Sequence, residues 1–164
     1  MKKVIVTGAN GFLGTALCRE LATSGIQVIA IIRNEEENVS NIVDLPGLRI
    51  VYCDFSEFKQ LPEMIRERDI DVVYHLAWVG TAGPLRGNKD VQLNNIVYTC
   101  DTVQACAEMK CKKFVFAVFK ITFKFVPSIS TLLPSKAASM ARPLLAPKSK
   151  PRKCIFSMVS APFS

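Results

Sequence analysis

The sequence predicts an α/β fold, a doubly wound parallel sheet of strand order 3-2-1-4-5 within residues 1–117 of the 164-residue chain. Three observations carry that expectation. Short runs of Val and Ile alternate with stretches of helical spacing, as when crossover helices cover both faces of a parallel sheet. Three glycines in three-residue steps join the first apolar run to the first helical one. The alternation then stops near Ala117, where the composition changes abruptly.

Lys3 to Thr7 is apolar without alternation and reads as a buried first strand. Thr7-Gly8-Ala9-Asn10-Gly11-Phe12-Leu13-Gly14 follows, a G-x-x-G-x-x-G turn one residue longer than the G-x-G-x-x-G fingerprint. Glycine has no Cβ, so such a turn can take positive φ and let a ligand approach the backbone. The helix starting near Phe12 aims its free N–H groups over the turn, and its dipole favours an anion there. That chemistry suits the pyrophosphate of a dinucleotide.

Phe12, Leu13, Ala16, Leu17 and Leu21 recur at helical spacing, and Ser24-Gly25 supplies the stop. Strands are expected near 27–33, 48–53, 71–77 and 113–118. Pro46-Gly47 marks the turn before the third, and Leu61, Met64 and Ile65 form a helix face before the fourth. Gly80 to Gly87 is a loop of the kind that lines clefts. Asp90 to Met109 reads as a long helix.

Composition excludes several classes. The net charge of +7 suggests nucleic acid, but residues 1–108 hold fourteen acids against ten Lys/Arg, and residues 109–164 hold eleven Lys/Arg and no acid. The basicity belongs to the tail, so no nucleic-acid partner is expected for the sheet. The six cysteines form no C-x-x-C pair and read as reduced thiols, which places the chain in the cytoplasm. His75 is the single histidine, so no metal site is expected. No apolar run is long enough for a membrane span, and the apolar run after Met1-Lys2-Lys3 is too short for a signal peptide. The sequence gives no reading of oligomeric state.

Thr7-Gly8-x-x-Gly11-x-x-Gly14 resembles the short-chain dehydrogenase/reductase superfamily, in its extended NAD(P)-dependent epimerase/dehydratase branch, with a Rossmann-like fold. The resemblance covers residues 1 to about 117 and implies an NAD(P)-binding oxidoreductase domain from a family acting mostly on nucleotide sugars. It places Thr7, Gly8, Asn10, Gly11, Phe12, Leu13 and Gly14 against the cofactor. Cys53-Asp54-Phe55 is similar to the family's acid motif, which puts Asp54 and Phe55 beside the adenine. His75-Leu76-Ala77-Trp78 resembles the H-L-A-A signature under the nicotinamide ribose, with Trp78 departing from alanine. Leu76, Ala77 and Trp78 carry over as cofactor residues, while His75 reads as a packed core residue. Asn95-Ile96-Val97-Tyr98-Thr99 resembles N-x-x-G-T, with Tyr98 for glycine. In the family this asparagine kinks the helix and helps position a proton-relay water, so Asn95 carries over.

The cofactor preference rests on Arg33. NAD-preferring relatives place an acid at the end of the second strand, and here Ile32 and then Arg33 fall there. Arginine can pair with a 2′-phosphate, which favours NADP, with NAD possible. The alternative is a solvated strand end, and Glu35, Glu36 and Glu37 weaken the NADP reading by proximity.

Past Ala117 the resemblance ends. Val118 and Phe119 occupy positions where the family has serines. The tyrosines are Tyr52, Tyr74 and Tyr98, so no Tyr-x-x-x-Lys follows and no catalytic residue is assigned. Residues 118–164 hold six prolines, eight serines and eight Lys/Arg. Phe119, Ile121, Phe123 and Phe125 alternate with polar residues, and 127–164 is expected to be irregular. So sharp a change suggests a shifted reading frame or a fused segment; the alternative is a natural basic extension. The expectation is a truncated cofactor-binding half, inactive by itself, lacking the catalytic tyrosine and lysine and the substrate domain. A non-enzymatic NAD(P)-sensing regulator is the second reading.

Overall fold

The computed structural model describes residues 1–118 and, by its strand course, residues 157–162. Five parallel strands run β1 Lys3–Thr7, β2 Gln27–Ile32, β3 Leu48–Tyr52, β4 Val72–His75 and β5 Lys113–Val118. Helix α1 is Phe12–Thr23, α2 is the single turn Leu61–Met64, and α3 is Lys89–Glu108. The sheet order is β3-β2-β1-β4-β5, with β6 (Ser157–Pro162) antiparallel on the outer edge of β5.

β1 is central, with Val4 opposite both Val28 of β2 and Val72 of β4. Successive side chains of a strand point to opposite faces, so β1 feeds two cores. Val4 and Val6 pack with Cys18 and Leu21 of α1 and with Val28, Ala30 and Ile42. Ile5 faces the other way, with Phe58, Leu61, Ile65, Ala105, Cys106 and Phe114. Each fully buried side chain of this size contributes about 1.5–3 kcal/mol relative to exposure. Burial on both faces explains why these strands read as continuous apolar runs rather than alternating ones.

Asp71 ties the amino end of the sheet together. Its carboxylate accepts from the Lys112 ammonium at 2.5 Å and the backbone N–H of Lys2 at 2.5 Å, and Lys3 N–H lies at 3.4 Å. Lys112 and then the Lys2 N–H hold this carboxyl well below the usual carboxylate range. At its other end α3 stops where Lys110 turns left-handed (φ 55) and the N–H of Cys111 returns to the carbonyl of Cys106 at 2.9 Å.

Three expectations need correction. The buried face of α1 is Gly14, Cys18, Leu21 and Ala22, while Phe12 and Ala16 are exposed, because the helix packs on the sheet through its smaller residues. The helix around Leu61, Met64 and Ile65 is mostly a 3₁₀ segment, Phe55–Gln60, closed by the short α2; Leu61 and Ile65 are buried and Met64 is not. The region 127–164 is not irregular throughout, since 157–162 is strand. An edge strand offers a row of unpaired N–H and C=O groups, and β6 takes them in register from Lys113↔Pro162 to Val118↔Ser157. Pro162, which has no N–H, lies on β6, an edge strand of the sheet, where proline is tolerated. Residues 119–156, with the alternating stretch Phe119 to Phe125, and residues 163–164 lie outside the described residues.

Candidate functional site

In open α/β sheets the ligand crevice lies beyond the carboxyl ends of the strands, where the strand order reverses. Here that point falls between β1 and β4. The carboxyl ends of β1 and β4 are Thr7 and His75, with Gly8 and Leu76-Ala77 just past them.

The three glycines have different reasons to be glycine. Gly8 sits at φ +66, and a Cβ there would lie 2.8 Å from the backbone nitrogen of Ala77. A Cβ on Gly14 would lie 2.1 Å from the carbonyl oxygen of Gly8. Both are demanded by chain packing. Gly11 is exposed, with ordinary extended backbone (φ −72, ψ 171), and its Cβ would meet only Gly8 O, at 3.3 Å. Gly11 caps α1 with no side-chain hydrogen bond, so the first N–H groups of the helix are left for whatever lies over the turn. Phe12 stands 93% exposed beside them, while Leu13 is half-buried. These residues fit the pyrophosphate of a dinucleotide: bare helical donors, and one glycine whose missing side chain leaves space outside the fold.

His75 is locked by hydroxyls on both sides. Its Nδ1 lies 2.9 Å from Thr7 Oγ1, and its Nε2 lies 3.1 Å from Thr99 Oγ1. Thr99 donates its own proton to the Asn95 carbonyl at 2.9 Å, so Nε2 must donate to Thr99. Thr7 then donates to Nδ1, and its oxygen accepts from the N–H of Ala77 at 3.3 Å. The imidazole is 3% exposed and lies edge-on to Phe58 and stacked on Phe114. Burial lowers its pKa to about 4. It is a neutral strut.

Asn95 is buried and uses both ends of its amide on Val79. Its Oδ1 accepts from Val79 N–H and its Nδ2 donates to Val79 C=O, each at 2.9 Å. Trp78 donates to Gln92 Oε1 at 2.9 Å, and Gln92 donates to the Leu85 carbonyl at 3.1 Å. So Asn95 and Trp78 fasten α3 to the chain leaving β4. Asp54 caps the 3₁₀ segment, accepting from Ser56 N–H at 3.0 Å and Ser56 Oγ at 2.7 Å. Those bonds, with a smaller contribution from the Arg33 charge, lower its pKa. Phe55 packs against Phe58 and Tyr98, ring centroids 5.5 and 6.0 Å away.

Arg33 is the exposed residue just after β2, which ends in buried Ile32. Its guanidinium pairs with Glu37, whose other oxygen accepts from Asn10 Nδ2 at 3.2 Å. Sequence reasoning placed Glu37 near Arg33 but not on Asn10. Gln92 was missed, and Thr99 was read only as the last residue of the Asn95 motif, without its bond to His75. Among the described residues no group of His, Cys, Asp and Glu could hold a metal ion, and no helix is long and apolar enough to cross a membrane.

Comparison with known proteins agrees with this fold. The chain matches the NAD dependent epimerase/dehydratase family over residues 4–118 and belongs to that family. It is 30% identical over 114 residues to dTDP-6-deoxy-L-talose 4-dehydrogenase (NAD(+)) of Aggregatibacter actinomycetemcomitans, covering 70% of this chain and 40% of that one. It is 28% identical to UDP-glucose 4-epimerase of Pisum sativum over 127 residues, covering 71% and 36%. The fold matches UDP-glucose-4-epimerase from Stenotrophomonas maltophila, solved with NAD and formylated UDP-arabinopyranose, at a TM-score of 0.62 and 20% identity, covering 71% and 36%. The chain thus spans well under half the length of these relatives.

Proposed function

We propose that residues 1–117 form the NAD(P)-binding portion of an epimerase/dehydratase-type oxidoreductase, and that residues 118–164 take no part in holding the cofactor. The observation that carries this reading is Gly11, exposed, with a backbone open to any residue and capping a 12-residue helix without a side chain. Thr7, Gly8, Asn10, Phe12, Leu13 and Gly14 shape the same mouth, and Leu76, Ala77 and Trp78 line its β4 side. When bound, the nicotinamide supplies hydride exchange; the chain's own residues bind and orient it. The dTDP- and UDP-sugar names of the relatives above favour nucleotide sugars as the substrate class. Among the described residues Cys18, Cys53, Cys100, Cys106 and Cys111 are free thiols, which supports a reducing, cytoplasmic setting.

This sequence offers no Tyr-x-x-x-Lys, so we propose that it binds dinucleotide without turning over a nucleotide sugar. The same lack favours a second reading, a non-enzymatic NAD(P) sensor. As for preference, Arg33 offers a cation to the 2′-phosphate of NADP, but Glu37 already neutralises it, which turns the balance toward NAD. Calorimetric titration of the full chain with NAD and NADP tests the binding. Heat of binding for either one supports it; no binding of either overturns it.

A further inference from the structure

Asn34, Glu35, Glu36 and Glu37 do not trail away from β2. The Asn34 side chain accepts from Glu36 N–H at 3.1 Å, a turn that asparagine makes readily. The N–H of Glu37 points back to the Asn34 carbonyl at 3.4 Å. The chain therefore doubles back, and the Glu37 carboxylate bridges the Arg33 guanidinium and the Asn10 amide. Asn10 belongs to the glycine turn and Arg33 to the end of β2, so one carboxylate joins the two segments flanking the adenosine side of the crevice.

Resting on the glycine turn as a dinucleotide cradle, we infer that Glu37 is the residue that selects between the two dinucleotides, in favour of NAD. Dinucleotide sheets that prefer NAD carry an acid at the end of the second strand, which accepts from the ribose hydroxyls. This chain has buried Ile32 there, and the acid held on Arg33, the next residue, and on Asn10 of the glycine turn is Glu37, five residues further on. A 2′-phosphate brings a second anion to the same cation. Arg33 already faces the carboxylate of Glu37, and its charge also reaches Asp54, so a phosphate must displace a bound carboxylate or lie beside it. An unphosphorylated ribose meets no such conflict and finds a carboxylate to donate to. The pair is partly solvated, Arg33 47% and Glu37 26% exposed, so the bias is one of preference rather than exclusion.

The experiment is titration of the full chain with NAD and with NADP, for the natural sequence, Glu37→Gln, and Arg33→Gln with Glu37→Gln together. Glutamine keeps the shape and the Asn10 contact and removes the charge. The natural chain is expected to bind NAD more tightly. Glu37→Gln should move the ratio of dissociation constants about tenfold toward NADP, as freeing one partly screened guanidinium for the 2′-phosphate predicts. The double variant should lose that gain, because the freed guanidinium produces it. Raised salt should erase the gain as well. A ratio unmoved by Glu37→Gln, with both dinucleotides still bound, overturns the role of Glu37 alone. Failure of the natural chain to bind either one overturns the cradle, and the role of Glu37 with it. Unchanged thermal unfolding of the variants shows that the readout concerns the ligand and not the fold.

Discussion

Thr7 and His75 sit opposite each other on neighbouring strands, Oγ1 2.9 Å from Nδ1, and the chain of hydroxyls around them leaves the imidazole one neutral tautomer. The Ala77 N–H donates to Thr7, Thr7 to Nδ1, Nε2 to Thr99, and Thr99 to the Asn95 carbonyl. A second proton on His75 would have to displace the Thr7 hydroxyl proton.

The consequence is a pH dependence. The folded pKa, about 4, lies below the ordinary value of 6.5, so between these values the unfolded chain binds more protons than the folded one. Stability is therefore full above pH 6.5 and falls as the pH drops toward 4, by up to about 3 kcal/mol. Urea unfolding from pH 7.5 to 4.5 should show this slope, and His75→Gln should flatten it even though that variant starts less stable. A natural chain with no slope in this window would contradict the buried neutral imidazole. The lowered carboxyl of Asp71 acts further down, its stabilisation being lost only as the pH falls below the usual carboxylate range.

Gly11→Val separates ligand from fold. Its backbone suits any residue, and its Cβ needs only a few tenths of an ångström from Gly8 O, so the variant should unfold within about 1 kcal/mol of the natural chain. Dinucleotide binding should nevertheless vanish, because the side chain enters the space over the helix N-terminus. Gly14→Ala, whose Cβ would lie 2.1 Å from Gly8 O, should instead fail to fold. Equal affinity of Gly11→Val and the natural chain, by calorimetry, would remove Gly11 from the site.

Phe58 is fully buried and meets both Phe55 and the edge of His75. Phe58→Ala should cost about 3–5 kcal/mol, measured by denaturant unfolding, as large-to-small changes in packed cores do. Against a total of about 5–15 kcal/mol this would leave a marginal protein. A loss under about 1 kcal/mol would mean that the 3₁₀ segment does not close this core.

The five parallel strands were legible because burial on both faces demands uninterrupted Val and Ile, a signal carried by each strand alone. The glycine turn was legible for a similar reason, since Gly8 and Gly14 answer to backbone contacts only a few residues or one strand away. What escaped depends on distant partners. Phe58 gives no local sign that it fills the space between β4 and α3. The face of α1 was read correctly at Leu17 and Leu21 but misread at Phe12, which is more apolar than Gly14, because the close approach of α1 to the Gly8 turn needs the smaller residue inward. Glu37 was legible as a nearby charge, but its reach to Asn10 depends on the turn at Asn34. β6 escaped because Ser157–Pro162 has little strand character of its own; its pairing is set by the open edge of β5.

The last prediction is that the purified chain turns over no nucleotide sugar. Transient oxidation at a sugar carbon needs a group that takes and returns a proton within hydrogen-bond reach of the reacting oxygen. His75 cannot serve, since both ring nitrogens are committed and its pKa is depressed. Asn95 is spent on Val79. Tyr52 lies on β3 and Tyr74 on β4, both packed against the α1-side core. Tyr98 is the remaining tyrosine, and its ring packs on Phe55 in the other core. Cys53 is buried, and burial pushes its thiol up to about 12, too high for a thiolate base. The assay follows the absorbance of reduced nicotinamide with a panel of nucleotide sugars, on chain shown by titration to hold dinucleotide. The expected outcome is binding without turnover. Turnover abolished by Tyr98→Phe, with binding and unfolding unchanged, would overturn the prediction and make Tyr98 the proton carrier.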